Sequence, residues 1–229
     1  PGSALCAGCH SDTAENIAGK KHPHKPAVQD CAACHAPHGG DNQFLLRKPR
    51  TELCLGCHAK EIAAGEKTKI MNIGDVIARA QFPHGPIRED DCIACHHAHA
   101  SVNFRLLTKV FPQEFYKGFD VKNYALCFGC HQQTLVLDQE TTTLTGFRDG
   151  ARNLHYVHVN KEVKGRTCRA CHEIHASNRP KHIREGVPFG TGGWILPINF
   201  EKTDGGGRCS PGCHKPMGYE RSKGGAPAR

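Results

Sequence analysis

Every cysteine in this 229-residue chain belongs to one kind of short motif, two cysteines followed at once by a histidine, and the motif occurs seven times. The sites are Cys6-Ala7-Gly8-Cys9-His10, Cys31-Ala32-Ala33-Cys34-His35, Cys54-Leu55-Gly56-Cys57-His58, Cys92-Ile93-Ala94-Cys95-His96, Cys127-Phe128-Gly129-Cys130-His131, Cys168-Arg169-Ala170-Cys171-His172 and Cys209-Ser210-Pro211-Gly212-Cys213-His214. The last carries three intervening residues instead of two. With 17 histidines in the chain, chance placement of one after all seven pairs has odds of roughly one in a hundred million, so the histidine is part of the site.

That histidine decides between chemistries. Zinc ligation and thiol redox chemistry use two cysteines three apart but do not require histidine at the next position. A disulfide framework would use fourteen cysteines in an oxidising compartment and would leave the histidines unexplained. Covalent haem explains all of it. Two sulfurs form thioethers with one porphyrin edge, and the adjoining imidazole reaches under the iron as proximal ligand. The expectation is seven haems c, attached at Cys6, Cys9, Cys31, Cys34, Cys54, Cys57, Cys92, Cys95, Cys127, Cys130, Cys168, Cys171, Cys209 and Cys213. His10, His35, His58, His96, His131, His172 and His214 are their proximal iron ligands.

Seven haems leave about 33 residues apiece, and the chain has one Trp, four Tyr, 25 Gly and 14 Pro with a mean hydropathy of -0.51. The expected fold class is therefore mostly irregular with short α-helices and little β structure, its core dominated by a chain of closely packed haems. The haem-free chain is expected to be unfolded. Motif spacing suggests a three-haem module over 1–60, a helical connector over 61–84 and a four-haem module over 85–229. A helix is expected from Lys60 to Ala80 on the periodicity of Ile62, Ile70, Ile73 and Ile77, and a short strand or extended loop over Gln132 to Phe147. The Gly-rich basic tail from Lys215 to Arg229 reads as disordered.

The formal charge of +8 would ordinarily invite a nucleic-acid reading. Each ferric porphyrin core adds one positive charge and each pair of ionised propionates removes two, so the oxidised holoprotein carries about +1 and the reduced one about -6. Lysine and arginine are thus partners for propionates, and nucleic acid is not an expected partner. No stretch is long and apolar enough to span a membrane. Without a basic-apolar-small leader, the chain reads as a mature exported one.

The motifs also come in pairs. His24-Lys25-Pro26 precedes His35-Ala36-Pro37-His38, then Leu45-Leu46 and the motif at Cys54; His84-Gly85-Pro86 precedes His96-His97-Ala98-His99, then Leu106-Leu107 and the motif at Cys127. A looser third unit runs from His158 through His172-Glu173-Ile174-His175 to Cys209. Over about residues 22 to 214 the chain resembles the doubled-CXXCH multihaem cytochromes c. Pro188-Phe189-Gly190, Trp194 to Phe200 and Gly205-Gly206-Gly207 resemble periplasmic cytochromes that feed outer-membrane porin conduits.

The resemblance implies electron transport, bis-histidine iron and attachment of haem outside the cytoplasm of a bacterium or archaeon. The protein is then periplasmic, extracellular or outer-membrane-associated. If the family geometry carries over, His24, His84 and His158 complete the irons of His35, His96 and His172, while His38, His99 and His175 complete those of His58, His131 and His214. His22 is the nearest remaining candidate for the iron of His10, with His155, His182 or a neighbouring subunit as alternatives. His97 is a candidate propionate partner. Met71 and Met217 are expected to fill gaps. No catalytic residue is expected, since Cys-x-x-Cys-Lys is absent from the sequence. The roles that follow are a periplasmic shuttle, a subunit docked to an outer-membrane conduit, or a filament protomer, each with redox partner proteins. The competing reading is a nitrite or hydroxylamine reductase with one open haem.

Overall fold

A computed structural model describes residues 2–65, 68–190 and 193–223. It divides into two units, Pro1–Val110 and Phe111–Arg229. Four motifs fall in the first unit and three in the second. The segment 61–84, expected to connect two modules, lies inside the first unit, and the boundary comes at 110/111 instead.

Short helices joined by irregular chain make up the first unit, with Ser11–Gly19 and Arg50–His58 the longest at nine residues each. The expected helix from Lys60 to Ala80 is broken. Ile62–Ala63 pairs with Lys69–Ile70 as an antiparallel hairpin, and the helix is confined to Ile73–Arg79. Gly65 sits at φ +148°, a conformation glycine alone adopts readily, and the Asn72 side chain starts the surviving helix by accepting from the Asp75 amide. Apolar periodicity was present, but local turn and cap chemistry overrode it.

Among the described residues of this unit, Ala100 and Leu107 are the buried hydrophobics. Two side chains of that size cannot offset the ordering of about a hundred residues. Peptide packing alone does not hold this unit together.

The second unit has a small core. Tyr124, Val136 and Val159 are buried together, with Phe119, Phe128 and Cys168 packed on them. Tyr124 is fully buried, and its alanine variant is expected to lose about 3–5 kcal/mol of stability in guanidinium unfolding of the holoprotein. Tyr124→Phe should cost nothing measurable, because the hydroxyl is buried without a hydrogen-bond partner. Between Gln132 and Phe147, expected as a short strand or an extended loop, the structure has a helical turn, Thr134–Leu137, followed by irregular chain, and Val136 projects from the turn into the core.

Toward the C-terminus β structure exceeds the expectation. Gly186–Phe189 pairs with Trp194–Pro197, and Phe200–Lys202, Gly206–Cys209 and Met217–Glu220 form an antiparallel sheet. Val187, Leu196 and Tyr219 are buried from these strands. Gly206 permits the close pairing, because a Cβ there would run into the Tyr219 carbonyl. Elsewhere the strands are two-residue pairings, and the chain is mostly irregular as composition indicates. Of the tail read as disordered, Lys215 to Arg229, Met217–Glu220 is instead a strand of the C-terminal antiparallel sheet, and 224–229 lies outside the described residues.

Candidate haem sites

Five motifs wind into one helical turn. The amide of the proximal histidine donates to the carbonyl of the first cysteine at 2.8 Å for His10, 3.0 Å for His35, 3.1 Å for His96 and 2.9 Å for both His131 and His172. This turn brings the two sulfurs to one side, as a single porphyrin edge requires. The third motif ends the helix Arg50–His58, and the seventh begins on the strand Gly206–Cys209. Pro211 and the additional residue give the seventh a different backbone.

Behind His35, His96 and His172 the same device recurs. The Nδ1 of each donates to a carbonyl nine residues on: Phe44 at 2.9 Å, Arg105 at 2.9 Å and Lys181 at 2.8 Å. Each accepting residue and its successor lie in the left-handed region: Phe44 and Leu45 at φ 60° and 53°, Arg105 and Leu106 at 53° and 58°, Lys181 and His182 at 59° and 57°. Such pairs of non-glycine residues cost about 1 kcal/mol or more apiece and persist where the surroundings demand them. Here they turn a carbonyl back onto the imidazole. Isolated bridges His35–Leu46, His96–Leu107 and His172–Ile183 complete the frame. The third unit, which looks looser in sequence, is as regular as the others, with His182-Ile183 in the place of Leu-Leu.

A carbonyl only accepts, so Nδ1 carries the proton and Nε2 presents its lone pair. The same holds for His24 toward Ala98 (2.8 Å), His158 toward Leu154 (2.7 Å) and His214 toward Lys215 (2.6 Å). A second shell of this kind fixes orientation and strengthens the imidazole as a ligand. Burial lowers the pKa of His58, His96, His99, His158 and His172, and it brings His155 down to about 4, helped by His172 and His158. These imidazoles are neutral, the form that binds metal.

Histidines then face each other in pairs. Ring centroids are 6.4 Å apart for His24 and His58 at an interplanar angle of 19°, 6.0 Å for His35 and His99 at 38°, and 6.3 Å for His155 and His172 at 12°. An iron midway would sit about 2 Å from each nitrogen and about 1 Å further from each ring centre, a total of about 6 Å. The gap fits a bis-histidine metal. No three His, Cys, Asp or Glu side chains converge on one point among the described residues, as a structural zinc site would need.

These pairs revise the expected partners. His24 faces His58 and not His35; His99 faces His35 and not His131; His155, and not His158, faces His172. His158 instead lies within electrostatic reach of His214. His155 and His158 share the helix Leu154–Val159, whose first amides are capped by Asn153. The signal in sequence was the spacing His-x-x-His behind an asparagine cap. His84 is the N-cap residue of Gly85–Arg88 with Pro at the second position, as His24 is of Lys25–Gln29. His22 lies in a strand pair with Ser101. His10, His38 and His131 are exposed, and His175 is half-buried.

The cysteines approach each other across motifs. The side chains of Cys6 and Cys31, of Cys54 and Cys92, and of Cys127 and Cys168 lie close enough to interact, each the first cysteine of consecutive motifs. Cys34 lies in the field of Cys57, and Cys171 in that of Cys209 and Cys213.

A covalent attachment turn, an oriented imidazole and an opposed second imidazole define a c-type cytochrome with several haems. Residues 24–63 and 84–135 match the doubled CXXCH motif family, and in these paired motifs the chain is similar to the multihaem cytochromes c of that family. Multiheme cytochrome MtrA of Shewanella baltica (strain OS185) is 30% identical over 205 residues, 78% of this chain and 58% of that protein. The chain thus spans less than two thirds of the length of this curated relative. The attachment motifs and the likeness to a multihaem cytochrome support covalently bound haem c. No helix among the described residues is long and apolar enough to cross a membrane.

Proposed function

We propose that the chain binds seven haems c and conducts electrons along them in sequence order within each unit. The observation that carries this reading is the contact between first cysteines of successive motifs, Cys6 with Cys31, Cys54 with Cys92 and Cys127 with Cys168. Haem supplies the iron(III)/iron(II) couple. The chain holds consecutive attachment edges side by side and closes both axial positions with histidine, so it transfers charge and does not bind a small substrate. His24 with His58, His35 with His99, and His155 with His172 complete three irons. His158 with His214 is the fourth pair, supported by proximity. His22 serves His10, and His84 and His175 close the two irons left, those of His96 and His131.

The likeness to MtrA supports an exported protein on the periplasmic or outer-membrane side, exchanging electrons with redox partner proteins at a conduit. Mass spectrometry of the holoprotein should count seven covalent haems, and reductive titration should place most midpoints below the standard hydrogen potential, as expected for two imidazole ligands. Reduction of every haem well above that potential would remove the bis-histidine scheme. A stoichiometric high-spin ferric signal that responds to nitrite or hydroxylamine would establish the reductase instead.

A further inference from the structure

We propose that His38 is the distal ligand of a haem iron that residues 1–229 do not contain. The inference rests on the bis-histidine reading above and extends it beyond the chain's own motifs. The second and fourth motifs are built alike: a turn at Cys31–Ala33 or Cys92–Ala94, a proximal histidine whose Nδ1 bonds a left-handed residue nine positions on, and a bridge to Leu46 or Leu107. His38 and His99 occupy the same place in this frame, three residues after His35 and His96.

His99 does not serve its own motif or the one after it. It faces His35, the proximal histidine two motifs earlier. The same step taken from the second motif leads to the motif that would come one before Cys6. The nearest alternative inside the unit, the iron of His58, has His24 opposite it at 6.4 Å. His38 is exposed, as a residue meeting a group outside the chain must be. The ligand class is a c-type haem with one histidine already bound, carried by a stretch of polypeptide outside residues 1–229.

The test is low-temperature electron paramagnetic resonance of the ferric holoprotein, kept dilute enough to be monomeric by light scattering. His24→Ala and His99→Ala should each add one high-spin haem per chain, whereas His38→Ala should add none. A short haem-c peptide with one histidine and an open sixth position serves as probe. The parent should bind one equivalent and convert it to low spin, and His38→Ala should lose that binding. The parent should stay monomeric on concentration while it binds the probe; dimers that His38→Ala does not form would place the iron in a second copy of residues 1–229 and overturn the assignment. A new high-spin haem in dilute His38→Ala, or unchanged probe binding, overturns the assignment. Silence of both His24→Ala and His99→Ala would overturn the opposed-pair reading along with it.

Discussion

Replacing His24 with alanine is expected to open the iron of His58 and to leave that of His35 six-coordinate. The effect is large, one haem per chain passing from low to high spin, because a bis-histidine iron deprived of an imidazole has no nearby protein substitute. His38 is exposed and, unlike His24, has no ring contact with His58. The assignment is checked by removing haems. In a Cys54→Ala, Cys57→Ala background the His24 change should produce no additional high-spin signal, since its iron is gone. In a Cys31→Ala, Cys34→Ala background it should produce the full signal. The opposite pattern would restore His35 as the partner. His24 is a favourable probe because its backbone amide bonds the His99 carbonyl and its Nδ1 bonds Ala98. Loss of the ring leaves the amide bond and the strand pairing of His22–Pro23 with Ala100–Ser101 in place.

The crossing of ligands explains what sequence could and could not reveal. Attachment sites and proximal histidines are local, set by residues that are neighbours in the chain, so spacing identifies them. Distal ligands are a matter of topology. His24 lies eleven residues before His35 and 34 before His58, and proximity in sequence favours the wrong partner. The strand pairing that seats His24 beside His99 is two residues long and leaves no periodicity to detect. The left-handed pairs were equally hidden. Phe44-Leu45, Arg105-Leu106 and Lys181-His182 contain no glycine, so the usual marker for positive φ is missing. What recurs is only the nine-residue distance from each histidine to its carbonyl. The C-terminal sheets leave little trace in sequence because Gly205-Gly206-Gly207 carries no β-branched or aromatic side chain, while close pairing with Met217–Glu220 is what requires Gly206.

Asn153→Ala is expected to be the most damaging change at a residue that is not itself a haem ligand. The side chain is fully buried, accepts from the amides of His155 and Tyr156, and donates to the carbonyls of Leu135 and Asp138. It thus caps the helix that carries both His155 and His158 and ties that helix to the turn Thr134–Leu137 and to Asp138 beyond it. Losing a cap costs about 1 kcal/mol, and stranding two buried carbonyls adds about 1–3 kcal/mol for each. A total of about 3–7 kcal/mol is expected in guanidinium unfolding of the second unit. The stability loss alone does not identify a positioning role, so the spin state is the second reading. His155 must hold its ring 6.3 Å from that of His172, and a displacement of 1 Å at the helix start would break an iron bond. A partial high-spin signal from the haem of His172 should therefore accompany the destabilisation. Asn153→Ser separates the two effects. Serine can still cap the first amides but cannot reach both carbonyls, so low spin should persist while much of the stability is lost. If serine and alanine gave the same high-spin fraction, the tie to Leu135 and Asp138, and not the cap, would be what places His155.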